Sequence, residues 1–522
     1  MSLTAIKMDH SSMPTFPTEL FLVIFSSLDA RSLIACRQVC QFFLALIDET
    51  VALVYTIELA RHGHIDHAPT LPSADRLSQL RIHNDAWNKL DGAWSDTIPM
   101  HPGHLWELFG NVLAQHSGSG SLIFTQLPSS TRSIERKEWS VPLSGLHIRD
   151  FGMDPSQNLL VLIESPRWVR NPNPSYQFHL WCMSSGKAHG LASVPILKHA
   201  QKVPDHGMSH TIQISGDHVG VEFHSTHGAK ELVVWNWKIG RKELYLTGHE
   251  IGSFAFLTEK HVVITMADDT DLRLLVVDFI AESSEQTCVK DVFHCLALRL
   301  PDLHPSSTVA SLTIRCDPSP AWPNQDDSIP FHVHPDEILY PVALLTAQHN
   351  YIMIFIPRRT LLAQFHHFLE GTREVEWPAW GPKGTRILDC LNQANVSPVW
   401  ACNTFGSRFV AFDVDEEEID VYDFNQMTLK RELGSGCPSQ YGNPNETLWP
   451  PVNQEDATMF AVDETVIPSS SLLFQQEVRT SLPFRARAVP TALGTGLFSA
   501  MCSQDNIIVV NTSSREYRIF TL

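Results

Sequence analysis

Two histidines in an alternating pattern, His332 and His334, are the residues of this sequence that come nearest to a metal site. Positions i and i+2 share one face of a β-strand, so a strand would hold both imidazoles together, with Asp336 and Glu337 just beyond. The chain contains 26 histidines, however, and a chance pair is expected at that frequency. We therefore predict no metal site and keep a site near His332 and His334 only as an alternative.

Two pairs of arginines raise a different chemistry, the binding of phosphate. Guanidinium groups bind phosphate in a bidentate manner, and Arg358 with Arg359, or Arg485 with Arg487, could contribute to such a cluster. Against this hypothesis stand the scatter of the arginines and the formal net charge of the chain, which is −19.

The acidic residues form two short groups. Asp268, Asp269 and Asp271 lie between two apolar runs and are typical of a hairpin turn, not of a paired acid and base. Six acidic residues also occur between Asp413 and Asp420, and a block of like charge predicts a solvated loop.

Motifs of the common enzyme classes are missing from the sequence. There is no P-loop, no G-x-G-x-x-G, no G-x-S-x-G and no H-E-x-x-H. We therefore predict a non-enzymatic protein with no catalytic residue, no cofactor and no bound metal.

The bulk composition is that of a folded globular chain, with 522 residues, 43% hydrophobic and 18% charged. The excess of negative charge argues against nucleic acid and anionic membrane surfaces as partners, because both attract clustered Lys and Arg. No stretch approaches the ~18 apolar residues of a membrane span. Ten cysteines without a C-x-x-C pair predict reduced thiols and a cytoplasmic and/or nuclear location.

The first fifty residues predict a chain of short helices. Pro17 suits a first helical position, and Asp29 suits the N-cap of a second helix. The apolar residues recur at helical spacing in three groups: Leu20, Phe21, Ile24, Phe25 and Leu28; Leu33 and Ile34; Val39, Cys40, Phe43, Leu46 and Ile47. Three helices of this length bury little against one another, so we expect a partner to cover the remaining apolar surface.

The string FPTELFLVIFSSLDARSLIACRQVCQFFLALI resembles an F-box. The matching positions are Phe16-Pro17, Glu19, Leu20-Phe21, Ile24-Phe25, Leu28, Asp29, Leu33-Ile34, Arg37, Val39-Cys40 and Phe43. Phe16 stands where leucine is commoner, which is a conservative departure. The F-box is expected over residues 14–50, after a disordered terminus at residues 1–13.

The resemblance implies binding to the Skp adaptor, which bridges to a cullin scaffold and its RING subunit. By that analogy ten residues form the adaptor-binding surface: Pro17, Leu20, Phe21, Ile24, Leu28, Leu33, Ile34, Val39, Cys40 and Phe43. The alternative is that these residues only pack a helical bundle against the rest of the protein.

Residues 51–100 are expected to form a helical connector. The segment Tyr55-Thr-Ile-Glu-Leu-Ala60 can continue as a helix, and another is expected to begin near Ser73, a plausible cap. The polar, proline-containing segment from His64 to Pro72 predicts a linker between them. A Tyr-x-Ile-Glu-Leu-Ala element after the F-box also resembles fungal, especially basidiomycete, F-box proteins.

Beyond residue 101 the pattern changes to short apolar and aromatic runs separated by Gly, Pro, Asn and Asp. Seven runs mark the repeat: Ser121–Thr125, Phe178–Cys182, Leu232–Asn236, Leu274–Asp278, Tyr351–Phe355, Ile419–Asp423 and Asn506–Asn511. Their number and spacing predict an all-β propeller of about seven degenerate blades, with an array of β-sandwiches as the alternative.

One unit carries most of the propeller argument. Val233–His249 resembles the third strand, turn, fourth strand and Gly-His of a WD-repeat, with Asn236 in place of the usual Asp. Phe151-Gly-Met-Asp-Pro-Ser156 predicts the strand and turn that open a blade.

The sequence therefore predicts an α+β multidomain protein, in which an F-box is followed by a propeller that binds a protein substrate. The resemblance implies the substrate-recognition subunit of an SCF-type (Skp adaptor–cullin–F-box) ubiquitin ligase. Two alternatives remain: a propeller scaffold outside any ligase, and a propeller enzyme with a channel site near His332 and His334.

Overall fold

The computed structural model describes residues 16–67, 70–90, 93–164, 175–200, 209–224, 230–268, 271–280, 285–322, 329–366, 373–389, 402–413, 417–434, 458–491 and 498–522. The terminus expected to be disordered, residues 1–13, lies outside these ranges. The helices within them are α1 (Thr18–Ser26), α2 (Ala30–Arg37), α3 (Gln41–Glu49), α4 (Val51–Arg61), α5 (Ser73–Lys89), α6 (Arg358–His366), α7 (Trp377–Gly384) and α8 (Gln426–Gly434). None of the helices in the described ranges has the length and apolar character needed to cross a bilayer.

Most of the chain forms seven four-stranded antiparallel sheets, which are the blades of a propeller. Blade 1 comprises β3 (Trp106–Phe109), β4 (Val112–His116), β5 (Ser121–Gln126) and β6 (Lys137–Pro142), and blade 2 comprises β7 (Ile148–Asp154), β8 (Leu159–Glu164), β9 (Ser175–Cys182) and β10 (Ile196–Ala200). Blade 3 comprises β11 (Ser209–Ser215), β12 (His218–His224), β13 (Lys230–Asn236) and β14 (Arg241–Gly248). Blade 4 comprises β15 (Ile251–Phe256), β16 (His261–Asp268), β17 (Asp271–Asp278) and β19 (Leu296–Arg299). Blade 5 comprises β20 (Val309–Ile314), β22 (Leu339–Thr346), β23 (Tyr351–Pro357) and β25 (Arg386–Asp389). Blade 6 comprises β26 (Thr404–Phe405), β27 (Arg408–Asp413), β28 (Glu418–Asp423) and β32 (Phe484–Pro490). Blade 7 comprises β33 (Phe498–Cys502), β34 (Asn506–Asn511), β35 (Glu516–Thr521) and β2 (Ala93–Pro99).

Short strands extend or join these sheets. Strand β1 (His64–Asp66) pairs with β21 (Phe331–Val333), which lies between the first two strands of blade 5. The others are β18 (Thr287–Cys288), β24 (Arg373–Val375), β29 (Met459–Ala461), β30 (Thr465–Ile467) and β31 (Val478–Thr480). The polar segment from His64 to Pro72 is thus not only a linker, because its first three residues form a strand.

The ring is closed by the pairing of β2 with β35, so the last blade contains strands from both ends of the propeller. A separate apolar cluster fills the space between each pair of neighbouring blades, including blades 7 and 1, where Ile98 and Leu108 meet Met501 and Ile508. The closed ring confirms the propeller and its seven blades and excludes an array of sandwiches. Strand β2 lies within residues 51–100, the range expected to be only a helical connector.

The seven apolar runs found in the sequence have a common structural place. Six of them are third strands of blades, and Asn506–Asn511 is the second strand of blade 7. These strands are central in their sheets and lie between two other blades, so both of their faces select apolar residues. The WD-like unit forms β13 and β14, and Phe151–Asp154 lies in β7, which opens blade 2.

Alternating strand directions give the propeller two ends. The turns between first and second strands, and between third and fourth strands, lie at the end that contacts the helical segment, which we call the connector face. The turns between second and third strands and the links between blades lie at the other end, which we call the distal face. Asp268 ends β16 and pairs with Asp271, which begins β17, so these two strands form a hairpin, while Asp269 lies outside the described ranges.

The acidic run departs from its prediction as a solvated loop. Asp413 ends β27 and Glu418 begins β28, and these two residues pair across the strands. Asp413, Glu418 and Asp420 have exposed fractions of only 7%, 3% and 0%, whereas Glu417 is exposed. Residues 414–416 lie outside the described ranges. Strand pairing has therefore carried part of this charged run into the protein interior.

Candidate partner-binding site

The N-terminal helices are short and share a small core. Phe25, Leu33, Ile47, Leu53 and Ile57 form this core, with one side chain or more from each of α1 to α4. Asp29 caps α2 as predicted, since its carboxylate accepts a hydrogen bond from the Ser32 amide at 2.7 Å. Pro17 is one position earlier than expected, because it precedes the first helical residue, Thr18.

A core of this size leaves large apolar side chains uncovered. On α1, Leu20 and Ile24 have exposed fractions of 47% and 54%, and Val23 is exposed on the same face. Of the ten residues that the resemblance implies for adaptor binding, six are exposed: Pro17, Leu20, Ile24, Ile34, Val39 and Cys40. Single exposed apolar residues are ordinary, but a contiguous group on one helix is typical of a binding surface.

Three of the ten residues are half-buried at the margin of this surface: Phe21, Leu28 and Phe43. The Phe21 ring lies 5.3 Å from the ring of Phe43 and 5.7 Å from that of Phe42, measured between ring centroids. The first pair is tilted and the second is edge-to-face, so these aromatic contacts pack the margin of the surface against α3.

Leu33 is the exception among the ten residues. Its exposed fraction is 0%, and it packs inside the core with Phe25 and Ile47. In this structure Leu33 supports the helices and does not face a partner. The apolar spacing of a short helix cannot separate the inner residue from the outer one, because both belong to the same stripe.

Further exposed apolar residues extend the surface beyond the ten. They are Phe16, Val23, Phe42 and Leu44. Val23 lies three residues after Leu20, and Phe42 lies beside Phe43, so a helical projection of the sequence would have found both. We call the exposed apolar residues of Phe16 to Leu44 the F-box surface.

Helix α4 joins the helices to the propeller by using both of its faces. Leu53 and Ile57 face α1 to α3, whereas Tyr55 and Leu59 pack with Leu80 of α5 and with Phe331 of β21. The Tyr55 hydroxyl lies 3.0 Å from Asp66 Oδ1 and 3.2 Å from the carbonyl oxygen of Pro330. Burial, with the nearby Asp66 carboxylate, raises the pKa of Tyr55. The tyrosine therefore stays a neutral donor at this junction.

Helix α5 docks on the turn between β33 and β34 at the connector face. The Trp87 indole donates to the carbonyl oxygen of Gln504 at 3.0 Å, and its ring lies 4.2 Å from the guanidinium carbon of Arg408. His83 Nε2 lies 3.4 Å from Asp505 Oδ1. Asp505 also accepts hydrogen bonds from Arg132 and from Asn111. We call this set of contacts around Asp505 the docking joint.

The Asp505 carboxylate is the electrostatic centre of the docking joint. Burial opposes its ionisation, but the Arg132 guanidinium and His83 outweigh that effect and hold the pKa of Asp505 well below its usual range. Arg132 belongs to blade 1, Asp505 to blade 7 and His83 to α5. The ionised Asp505 carboxylate therefore contacts both blades at the closure of the ring and the helix that docks on them.

The histidine pair His332 and His334 lies in and just after β21, the strand that pairs with β1. His332 belongs to β21, opposite Ile65, and its ring lies 5.1 Å from the ring of His67. His334 caps a short 3₁₀ helix by accepting the Asp336 amide at 3.1 Å. Within the described ranges, no group of three His, Cys, Asp or Glu residues is placed to hold a metal ion.

The propeller channel contains an ion pair. Glu107 of blade 1 and Arg315 of blade 5 approach to 3.1 Å, beside Gln213 and the buried residue Cys402. Burial, reinforced by the negative charge of Glu107, raises the pKa of Asp150 to about 7. The ion pair between Glu107 and Arg315 therefore links blade 1 to blade 5 across the centre of the ring.

The candidate phosphate-binding arginines are engaged within the protein. Arg358 contacts Asp336 at 2.7 Å and donates to the carbonyl oxygen of Leu257 at 2.9 Å. Arg485 contacts Asp423 at 3.2 Å, and Arg487 donates to the carbonyl oxygen of Asn88. Arg358, Arg485 and Arg487 therefore make internal contacts at the connector face. These contacts argue against a phosphate-binding role for the three arginines.

Comparisons with known proteins bear on the helices. Residues 13–59 match the F-box-like family model. A comparison with curated proteins gives no match. The WD40 domain of SCAP from fission yeast is 8% identical, with a TM-score of 0.30 over 80% of this chain and 84% of that one. An uncharacterized protein from Listeria monocytogenes EGD-e is 9% identical, with a TM-score of 0.25 over 56% of this chain and 82% of that one. At these TM-scores neither structure carries an argument, and the propeller is defined by its own sheets.

In this protein, helices that match the F-box-like family model are thus joined to a seven-bladed β-propeller. F-box segments generally bind Skp-type adaptors, and this combination is typical of a non-catalytic adaptor protein.

Proposed function

We propose that this protein is the substrate-recognition subunit of an SCF-type ubiquitin ligase in the cytoplasm and/or nucleus. The observation that supports this proposal most directly is the F-box surface. Its apolar side chains are exposed on the segment that matches the F-box-like family model. A Skp adaptor covers this surface and links the chain to a cullin and its RING subunit. The protein itself performs no chemistry.

The docking joint supports this proposal because a ligase receptor must hold its substrate at a fixed place. Helix α4 is shared by the F-box core and the propeller contacts, and α5 is fixed by Trp87 and His83. A substrate on the propeller is then held at a constant distance from the adaptor. Catalysis by the ligase follows from proximity, since a tethered lysine reacts at a high effective concentration.

The test is co-expression of the full chain with a Skp adaptor, followed by pull-down. The variant Leu20→Asp, Ile24→Asp places two charges on the F-box surface. The matched control is Ile239→Asp, Ile280→Asp, because these propeller residues have similar exposed fractions, 54% and 50%. We expect the wild type and the control to retain the adaptor and the F-box variant to lose it, at equal thermal stability.

Retention of the adaptor by the F-box variant would refute an adaptor interface at this surface. A complex that binds the adaptor but never co-purifies with a cullin would refute the ligase role and identify a scaffold outside any ligase.

A further inference from the structure

A lysine, a histidine and a glutamate meet in the groove between blades 2 and 3. Lys242 lies on β14, His199 on β10 of the neighbouring blade and Glu231 on β13. The Lys242 ammonium lies 3.3 Å from His199 Nδ1, and His199 Nε2 lies 2.7 Å from Glu231 Oε2. An ammonium can only donate, so Nδ1 accepts and the ring proton sits on Nε2, which donates to the carboxylate. The imidazole therefore connects the lysine to the carboxylate.

The imidazole and its carboxylate are buried and held from several sides. The Tyr245 hydroxyl donates to the same oxygen of Glu231 at 2.9 Å. The rings of Phe223 and Tyr245 lie 4.9 Å and 5.0 Å from the His199 ring, measured between ring centroids. Burial lowers the pKa of His199, although the hydrogen bond and the charge of Glu231 oppose this effect. His199 is therefore neutral at neutral pH, and its Nδ1 can accept a proton.

Lys242 itself is half-buried at the rim of the groove. Its ammonium lies 4.6 Å from the centre of the Tyr245 ring and 5.8 Å from the centre of the Trp235 ring. Burial lowers the pKa of Lys242, against the opposing charge of Glu231. A lowered pKa raises the fraction of neutral, nucleophilic amine. Because the side chain is only half-buried, a small reagent can approach it from solvent and needs no internal cavity.

Two other lysines of the propeller separate the effect of the aromatic rings from that of the imidazole. The Lys137 ammonium lies 5.9 Å from the centre of the Trp139 ring, and the Lys238 ammonium lies 5.5 Å from that of Trp237. Lys238 also pairs with Asp217 at 2.5 Å. Within the described ranges neither ammonium is hydrogen-bonded to an imidazole, so both lysines are matched references for Lys242.

We propose that Lys242 is a modification site, where a small acyl thioester acylates the side-chain amine. His199 is the base for this step, and Glu231 is a positioning residue that orients the imidazole. A nucleophile, a base and a third group that orients the base are the usual components of covalent catalysis. Here they serve one stoichiometric modification, which requires no turnover and does not depend on the proposed function.

An acyl donor fits this groove better than an aldehyde does. Imine formation ends with the loss of water, for which a proton donor is needed, whereas acyl transfer needs the proton acceptor that His199 supplies. The product is a neutral amide, and burial in an aromatic groove favours a neutral group over an ammonium.

The step balances without a further reagent. The neutral Lys242 amine attacks the acyl carbon of the thioester, and a C–N bond forms. The nitrogen gives one proton to His199 Nδ1 as the C–S bond breaks, and the leaving thiolate takes that proton from the imidazolium. The amine and the thioester have then become an amide and a thiol.

The test measures acetylation of the full chain by S-acetyl-N-acetylcysteamine at neutral pH, with peptide mass spectrometry to follow each lysine. We expect Lys242 to react at least about tenfold faster than Lys137 and Lys238. In His199→Gln the base is lost, so the rate at Lys242 should fall to that of the two reference lysines. Unchanged rates at Lys137 and Lys238 in this variant show that the propeller is still folded.

The pH profile of acetylation is a second measurement, which decides the case on the wild type alone if His199→Gln does not fold. Its midpoint at Lys242 should lie below the midpoints at Lys137 and Lys238, because burial lowers the pKa of Lys242. In Glu231→Gln the midpoint at Lys242 should fall further, since the opposing charge is gone, while the limiting rate at alkaline pH also falls. A merely structural role for Glu231 would not produce this split.

A rate at Lys242 no higher than the rates at Lys137 and Lys238 would show that the lysine is only a structural cation and would overturn the proposal. An equally high rate in folded His199→Gln would also overturn it, because the imidazole would then not be the base. The chain is tested without adaptor, so each result stands apart from the outcome of the adaptor pull-down.

Discussion

Two buried carboxylates in neighbouring blades, Asp505 and Asp420, have opposite surroundings. Asp505 meets Arg132, His83 and Asn111 at the connector face, whereas one oxygen of Asp420 at the distal edge has no hydrogen-bond partner in the part of the chain that the structure describes. The pKa of Asp505 is lowered and that of Asp420 is raised. The comparison teaches that burial alone does not make a carboxylate structural, because the surroundings of the first stabilise its charge and those of the second repel it.

The largest expected effect comes from removing the matched charge. Asp505→Asn leaves the buried Arg132 guanidinium without its anion, so we expect a loss of about 3–5 kcal/mol in the free energy of unfolding. Chemical denaturation measures this loss. Glu477→Gln, at an exposed ion pair with Arg479, is the control and should cost less than about 1 kcal/mol. A cost for Asp505→Asn as small as that of the control would break the comparison.

Trp87→Ala should have the next largest effect, at the docking joint. The indole is buried and donates to Gln504, so its loss should cost about 3 kcal/mol of docking free energy. We expect faster hydrogen exchange in α5 with little change in blades 2 to 4. Uniformly faster exchange through all blades would contradict a local joint.

Asp420→Asn should act in the opposite direction and more weakly. Removing a buried carboxylate that is repelled by Glu418 and Asp413 should stabilise the free protein by about 1 kcal/mol at pH 7. The urea midpoints of wild type and variant, measured side by side, test the sign. Destabilisation would mean that the carboxylate has an internal partner that matters.

The pH dependence gives the sharpest contrast between the two carboxylates. The folded pKa of Asp505 lies below the ordinary value of about 4, so its contribution to stability is present at neutral pH and is lost as pH falls below about 4. The folded pKa of Asp420 lies above that value, so its penalty is absent below about pH 4 and grows as pH rises. The stability difference of each variant from wild type should therefore shrink toward acid pH. Parallel curves from about pH 4 to 8 for Asp420→Asn would refute the raised pKa.

Much of the fold follows from the sequence because strand burial leaves a local pattern. The third strands of six blades, such as Leu232–Asn236, are apolar on both faces and stand out as a repeat. Strand β2 does not stand out, because an edge strand that pairs only with β35 has a weaker pattern and follows a long helix.

The sites are harder to predict because they depend on what lies across a blade. The sequence places Leu33 and Ile34 in one apolar group, and only packing shows that Leu33 is inside and Ile34 is outside. The acidic run indicates a solvated loop by composition, whereas cross-strand pairing buries Asp413 and Glu418. Arg358 and Arg485 resemble free ligands in the sequence because their carboxylate partners are distant along the chain.

The closure of the ring by β2 and β35 has a consequence for synthesis. The F-box helices and α4 are complete at Arg61, but the turn that holds Asp505 and the strand Glu516–Thr521 leave the ribosome much later. The N-terminal helices are therefore complete while the propeller of the nascent chain is still an open series of blades. The joint between these helices and the propeller becomes rigid only after β35 has emerged and paired with β2.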